Sequence, residues 1–231
     1  MLESQSMLVL ASNSPRRKQL LALGGWKFTV LPAAIDETLF DAEAPQDYVA
    51  RLAEGKVRTV ARHAPVDALI LAADTTVAIS LDLSGQQTIQ ILGKPGDAQE
   101  AEQMLRALRG RAHHVYTGLA LLRVADGRLA QEVCVSEVMM RDYSDDEMLD
   151  YVASGDPLDK AGAYAVQHIG FHPAEKLDGC YANVMGLPVC HLALLLEQFN
   201  LPPQTDLPYE CQQMLGYDCP IYRQVLEGNA S

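Results

Sequence analysis

The stretch Leu8–Gly25, LVLASNSPRRKQLLALGG, decides how the chain is read. Leu8–Ala11 has the pattern of a short buried strand, Ser12-Asn13-Ser14 that of a tight turn, and a helix begins at Pro15 and stops at Gly24-Gly25. Ser14 suits the cap, Pro15 the first helical position, and paired glycines the stop. Arg16 and Arg17 break the pattern, because they occupy the first turn, where the helix dipole favours acidic side chains. An anion would compensate, held by turn amides, serine hydroxyls and two guanidinium forks. Two solvated arginines tolerating a small dipole penalty would also satisfy the sequence.

Working outward, Phe28–Leu31 predicts a second strand, followed by an acidic segment with Asp36, Glu37, Asp41 and Glu43. A helix is expected over Gln46–His63, with Val49, Leu52, Ala53 and Val60 at helical spacing. Lys56 shares that stripe, either snorkelling to the rim or lining a cleft. Ala68–Ala73 is a continuous apolar run, the mark of a strand buried on both faces, and it ends at Asp74-Thr75-Thr76. Ligands of open α/β sheets collect beyond the carboxyl ends of strands, so Asp74 is either a ligand-facing acid or a capping residue. A hairpin is expected about Asp82–Gln87, and Gly93-Lys94-Pro95 closes it.

Asp97–Glu100 and Ser144–Glu147 have the spacing of capping boxes. Tyr116–Val124 and Glu132–Met140 flank Ala125-Asp126-Gly127 as an antiparallel hairpin. Pro157–Gly186 reads as loop-rich and carries Asp159, Lys160, Tyr164 and Gln167. Val189–Phe199 is an apolar helix, and the prolines after Leu201 mark a tail outside the main core. Parallel-compatible units early and antiparallel strands later predict an α/β fold with a mixed sheet.

With 231 residues the chain holds one sizeable core or two small lobes. Its 18 basic and 30 acidic residues give a net charge of −12, which disfavours a nucleic acid polymer as partner while leaving room for a small anion in a locally basic pocket. No run of about twenty apolar residues occurs, and MLESQSMLVLAS lacks a basic leader, so a cytoplasmic protein without a membrane partner is expected. Cys134, Cys180, Cys190, Cys211 and Cys219 contain no CxxC pair, which argues against structural zinc and a secreted disulfide framework. The first three fit small core positions; Cys211 and Cys219 could approach each other.

Taken together, Arg16, Arg17, Lys56, Lys94 and Lys160 supply cations. Asp36, Glu37, Asp74 and Asp159 supply carboxylates, and Ser12, Thr75 and Gln167 supply polar readers. Phosphoanhydride hydrolysis uses such a mixture: cations for phosphate oxygens, carboxylates for a hard divalent metal, and one carboxylate to activate water. No GxxxxGK[ST] loop occurs, which argues against a P-loop mechanism.

The run Ser12-Asn13-Ser14-Pro15-Arg16-Arg17 closely resembles the signature of the Maf family of nucleotide pyrophosphatases. The likeness continues in order through Ile35-Asp36-Glu37, Lys56, Ala73-Asp74-Thr75, Leu92-Gly93-Lys94-Pro95, His114-Val115-Tyr116-Thr117-Gly118, Asp159-Lys160-Ala161-Gly162-Ala163-Tyr164, Gln167 and Asn183-Val184-Met185-Gly186-Leu187-Pro188, spanning roughly Leu8 to Phe199. It implies an elongated, two-lobed α/β fold with a mixed twisted sheet, related to the inosine triphosphate pyrophosphatases. Residues 1–200 would form the domain, with its cleft between lobes, and 201–231 an extension.

The activity implied is divalent-metal-dependent (Mg²⁺ or Mn²⁺) hydrolysis of a nucleoside triphosphate to monophosphate and pyrophosphate. By the same resemblance Asp74 is the general base, with Glu37 and Asp74 as metal ligands. Ser12, Arg17, Lys56 and Lys94 then belong to the phosphate site, and Arg16, Thr75 and Gln167 to base selection in the branch acting on dTTP and UTP. Lys160 reaches a phosphate or pairs with Asp159. The longer Leu81–Gln90 segment and Gln167-His168 depart from the pattern. Alternative readings are a nucleotide-binding regulator of septum formation acting without turnover, or hydrolysis of another base such as 7-methyl-GTP. A homodimer is compatible with either.

Overall fold

Strand β1 (Met7–Leu10) lies between two parallel neighbours, β2 (Phe28–Val30) and β3 (Ala68–Leu83). The register pairs Leu8 with Phe28 on one side and with Leu69 on the other. The structure is a computed structural model that describes residues 7–83 and 86–228. The remaining strands and α-helices are α1 (Pro15–Ala22), α2 (Pro45–Ala61), β4 (Gln86–Leu92), α3 (Ala98–Leu108), β5 (Ala112–Arg123), β6 (Leu129–Met140), α4 (Asp145–Ala153), β7 (Ala174–Asp178), α5 (Tyr181–Val184), α6 (Val189–Glu197), α7 (Leu207–Leu215) and α8 (Tyr222–Leu226), with short 3-10 turns at Asp156–Asp159 and Ala161–Ala163. Strands hydrogen-bond in the order β2-β1-β3-β5-β6-β7, with β4 on β3, so the sheet is mixed and the fold is α/β as expected. The tip of the β3–β4 hairpin falls outside the described residues.

Two compact units divide the chain. The first comprises the described residues of Met1–Asp74, Thr117–Cys134 and Cys180–Ser231; the second comprises Thr75–Tyr116 and Val135–Gly179. In the first, one face of the apolar run packs on α2: Val9, Ile70 and Ala72 meet Ala53, Val57 and Val60, together with Ala120 and Leu122. These small and branched side chains let the helix approach closely. The approach is closest at Gly118, where a Cβ would lie 2.5 Å from the Val49 carbonyl oxygen, so only glycine fits.

Residues beyond Leu201 do not form a tail outside the core. They fold back as α7 and α8 in the first unit and bury Leu207, Cys211 and Val225. Pro208 stands in the first turn of α7, where its missing N–H costs nothing, and Asp206 caps that helix. The Trp26 indole N–H reaches the carbonyls of Leu201 and Pro202 at 3.2 and 3.1 Å, anchoring the start of the segment.

In the second unit the Ser144 capping box forms as expected. Asp97 caps α3, but Glu100 turns to the Gly96 amide at 2.7 Å. Tyr143, Tyr151 and Phe171 form an aromatic core, with the Tyr151 and Phe171 rings stacked at 4.4 Å. Gly162, at φ +68°, donates its amide to the Gly93 carbonyl at 3.0 Å and leaves no room for a Cβ beside Val77. That contact joins the Gly93-Lys94-Pro95 loop to the turn after Lys160. Among the described residues no helix is long and apolar enough to cross a membrane.

Candidate active site

The turn after β1 folds its arginine back across the start of α1. Ser14 Oγ accepts the Arg17 amide at 3.4 Å, and Pro15 stands in the first turn, so the helix begins where the sequence places it. Ser12, buried, accepts the Ser14 amide at 3.2 Å and Arg17 Nη1 at 3.5 Å. Arg17 Nε donates to the Gly186 carbonyl at 2.9 Å. Desolvation pulls the Arg17 guanidinium below its ordinary range, Asp74 opposes that shift, Arg16 adds to it, and Glu37 opposes it. Arg16 is half-buried and makes no hydrogen bond or ion pair among the described residues.

Asp74 lies inside β3 rather than at a strand end, because β3 continues through Thr76 to pair antiparallel with β4. The parallel ladder with β1 does stop just before it, at Leu10 and Leu71, with the Ala11 amide on the Leu71 carbonyl. Asp74 therefore stands beyond the carboxyl end of the parallel segment, and it caps no helix. Only 7 % exposed, it receives Lys56 Nζ on Oδ1 at 2.5 Å, and the same ammonium reaches Glu37 Oε1 at 2.7 Å. Lys56, 9 % exposed on the apolar stripe of α2, is thus directed inward and does not snorkel. Burial raises the Asp74 carboxyl above its usual range, against the pull of Lys56 and Arg17. A buried acid set among cations can take or orient a proton.

The acidic loop divides its carboxylates between two tasks. Asp36 Oδ1 accepts the Thr38 amide at 2.9 Å and the Thr38 hydroxyl at 2.6 Å, which lowers its pKa and shapes the loop. Arg51 holds Glu43 through two bonds of 2.6 and 2.7 Å. Glu37 is left to face Lys56, its backbone carbonyl gripped by the Tyr48 hydroxyl at 3.0 Å. Hard divalent cations take carboxylate oxygens and complete their shells with water and substrate phosphates. Two carboxylates converging on one ammonium are a donor set of that kind. No group of three or more His, Cys, Asp or Glu is arranged around a single point among the described residues.

In the second unit, Thr75 is half-buried while Lys94 and Gln167 are exposed. Lys160 is buried and already satisfied: its ammonium binds the Asp156 carbonyl at 2.5 Å, Asp156 Oδ1 at 3.0 Å and Asp159 Oδ1 at 2.6 Å. Tyr151 completes that network, donating to Asp156 Oδ2 at 2.7 Å and accepting the Ala165 amide at 2.9 Å. Of the adjacent pair, His113 is the buried one, its Nε2 2.7 Å from the Tyr164 hydroxyl, whereas His114 is half-buried beside Glu137. Sequence reasoning gave no role to Gly186, Tyr48 or Asp156. The Asn183–Pro188 motif was the signal available for Gly186.

Fold and site together define a mixed-sheet α/β protein with a buried carboxylate set among cations, an arrangement suited to a polyanionic ligand. Residues 7–199 match the family described as Maf-like protein, and the chain belongs to that family. The dTTP/UTP pyrophosphatase of Myxococcus xanthus is 48% identical over 199 residues, covering 86% of this chain and 95% of its own. A second, from Thermomicrobium roseum, is 43% identical over 219 residues, covering 93% of each chain, a match longer than the 7–199 family region. Among solved structures, the nucleoside-triphosphatase / dITP/XTP pyrophosphatase of Mycobacterium abscessus is a distant likeness only, with 14% identity and a TM-score of 0.40 over 84% of this chain and 96% of that one.

Proposed function

We propose that the protein hydrolyses dTTP and UTP to the monophosphate and pyrophosphate. The observation that carries this reading is the buried Asp74 carboxylate, held by Lys56 beside Glu37 and Arg17. Arg17 presents its guanidinium to the triphosphate while Gly186 and Ser12 fix its plane. The amides of the 12–14 turn and the start of α1 favour the same charge. Asp74 accepts the proton of the water that attacks the α-phosphorus, and its elevated pKa suits a base that must also release that proton. Lys56 orients Asp74 and neutralises charge that grows on the phosphate oxygens. Such positioning and neutralisation supply most of the rate in phosphoryl transfer.

Glu37 and Asp74 are the residues that would hold a divalent cation, Mg²⁺ or Mn²⁺; when bound, it would supply Lewis-acid neutralisation of the triphosphate. Thr75, Lys94 and Gln167 are assigned to the substrate through the family resemblance, Gln167 because a side-chain amide can both donate to and accept from a pyrimidine edge. Lys160 is assigned to holding its own turn through Asp156 and Asp159.

The test is pyrophosphate release from a panel of nucleoside triphosphates with Mn²⁺, beside the Asp74→Asn variant. Turnover of dTTP and UTP, lost by at least about 100-fold in the variant, is expected for removal of a general base. Binding of nucleotide without turnover by the wild type would replace the enzyme reading with the regulator.

A further inference from the structure

One helix grips Glu37 from two sides. Lys56 of α2 takes its carboxylate at 2.7 Å, and two other residues of the same helix take the backbone. The Tyr48 hydroxyl donates to the Glu37 carbonyl at 3.0 Å, and Arg51 Nη2 donates to the next carbonyl, that of Thr38, at 3.1 Å. Arg51 then continues across the loop. Its Nε and Nη2 fork the Glu43 carboxylate at 2.6 and 2.7 Å, and its guanidinium lies 3.9 Å from the centre of the Phe40 ring. Glu43 Oε2 in turn accepts the Phe40 amide at 3.1 Å, which closes the loop on itself.

These contacts do what packing does not. Residues 36–42 are all exposed, with Leu39 at 44 % and Phe40 at 58 %. Little apolar burial therefore fixes the loop, and its shape rests on charge-assisted, bidentate hydrogen bonds of the kind a planar guanidinium makes. Tyr48 and Arg51 stand three residues apart in α2, and so on one face of it. The grip of the Lys56 ammonium is conditional, because a divalent cation on the same carboxylates competes with it. The two grips on the backbone carry no such competition and persist when the ammonium is displaced.

We propose that Arg51 and Tyr48 are positioning residues that set the affinity of Glu37 and Asp74 for a divalent cation. The inference rests on the reading of those two carboxylates as the cation's ligands. Neither positioning residue is itself a ligand: a guanidinium has no acceptor, and the Tyr48 hydroxyl is spent on the Glu37 carbonyl. Arg51 acts by holding the Thr38 carbonyl and the turn through Glu43, Tyr48 by holding the backbone of Glu37 itself. The sign of the effect separates this role from plain electrostatics. A guanidinium near a cation site repels the cation, so deleting it would tighten binding if charge alone counted. Loss of positioning loosens binding instead, since outer contacts that orient a ligand are worth about 10–100-fold in metal affinity.

The experiment titrates the full chain with Mn²⁺ alone at neutral pH and reads the free ion by electron paramagnetic resonance. Arg51→Met is expected to bind Mn²⁺ about 10–100-fold more weakly than the wild type, and Tyr48→Phe to bind it more weakly as well. Unchanged or tighter binding in Arg51→Met overturns the proposal, as does wild-type affinity in Tyr48→Phe or a wild type that binds no Mn²⁺. If Arg51→Met does not fold, Tyr48→Phe, which loses a single oxygen, decides. No nucleotide is present, so a failure here leaves the hydrolase reading standing, and a failure of hydrolysis leaves the titration valid. Where dTTP is hydrolysed, the Mn²⁺ concentration for half-maximal rate should rise in Arg51→Met by the factor found in the titration, while the rate at saturating Mn²⁺ approaches that of the wild type. A lower rate at an unshifted Mn²⁺ midpoint is a purely structural loss and overturns the proposal.

Discussion

Replacing Lys56 with methionine isolates the charge balance of the site. The ammonium bridges Asp74 Oδ1 at 2.5 Å and Glu37 Oε1 at 2.7 Å. Methionine keeps much of the stem that packs on the apolar stripe of α2 and deletes the charge. The Asp74 arm is buried, and losing one partner of a buried pair costs about 3–5 kcal/mol. The Glu37 arm is half exposed, with its side chain at 49%, and solvent screening holds it below about 1 kcal/mol. For a chain of this length each kcal/mol shifts the melting temperature by about 2–4 °C, so the variant should melt about 6–20 °C below the wild type.

The sign of the pH dependence is fixed by Asp74. Its folded pKa is already raised by burial, and without Lys56 it rises further, against the remaining pull of Arg17. A raised acid contributes stability that is complete below the unfolded pKa and is lost as pH rises through the folded one. The deficit of Lys56→Met is therefore largest at pH 7–8 and shrinks toward pH 5. The variant also leaves two carboxylates with no competing ammonium, so Mn²⁺ should raise its melting temperature more than it raises that of the wild type. Calorimetry at pH 5 and 7.5, with and without Mn²⁺, checks both statements. Equal melting of variant and wild type at pH 7.5, or an equal Mn²⁺ shift in the two, would refute the bridging role of Lys56.

Three further outcomes are expected. Arg17→Lys loses the Nε bond to Gly186 and the planar fork, so dTTP hydrolysis should fall about 10–100-fold with a change in stability of about 1–2 kcal/mol, read from kinetics beside chemical denaturation. His191 is buried with Nδ1 unpartnered and its pKa lowered to about 4, so the folded state loses about 3 kcal/mol as pH falls from 6.5 to 4; His191→Leu should flatten urea denaturation midpoints over that window. A chain ending at Asn200 exposes the surfaces that Leu207, Cys211 and Val225 cover, worth about 1.5–3 kcal/mol for each large side chain, and should melt well below the full chain or aggregate.

What the sequence displays follows from local physics. The strand at Leu8, the Ser14 cap with Pro15, the buried run at Ala68 and the Ser144 capping box each involve neighbours within a few residues, where spacing alone carries the signal. The partners of Lys56 are less visible, because Asp74 lies eighteen residues away on a strand whose position is set by pairing with β1. Lys160 is the instructive case: three oxygens of its own turn satisfy it, and a lysine one residue from an aspartate reads identically whether its charge is shared or available. The C-terminal segment departs from a proline-rich tail for a related reason. Pro208 signals a helix start as readily as a loop, and the apolar positions of two short helices are too few to declare a buried face.

The distribution of charge explains how an acidic chain offers a site to an anion. Arg16, Arg17 and Lys56 stand against Asp74 and Glu37 in the first unit, a local excess of one cation in a protein of net charge −12. At physiological salt charges beyond about 8 Å are largely screened, so the surrounding acidity affects encounter more than the bound state. Within that radius Lys56 is committed twice, and Arg17 is oriented but desolvated. Lys56 can turn its ammonium toward a phosphate only if Asp74 and Glu37 find another positive partner. A triphosphate without a divalent cation therefore meets little beyond the two arginines and the turn amides, and should bind weakly. The buried Asp74 carboxylate that makes the site costly to fold is also, with Glu37, what makes its affinity conditional on the cation.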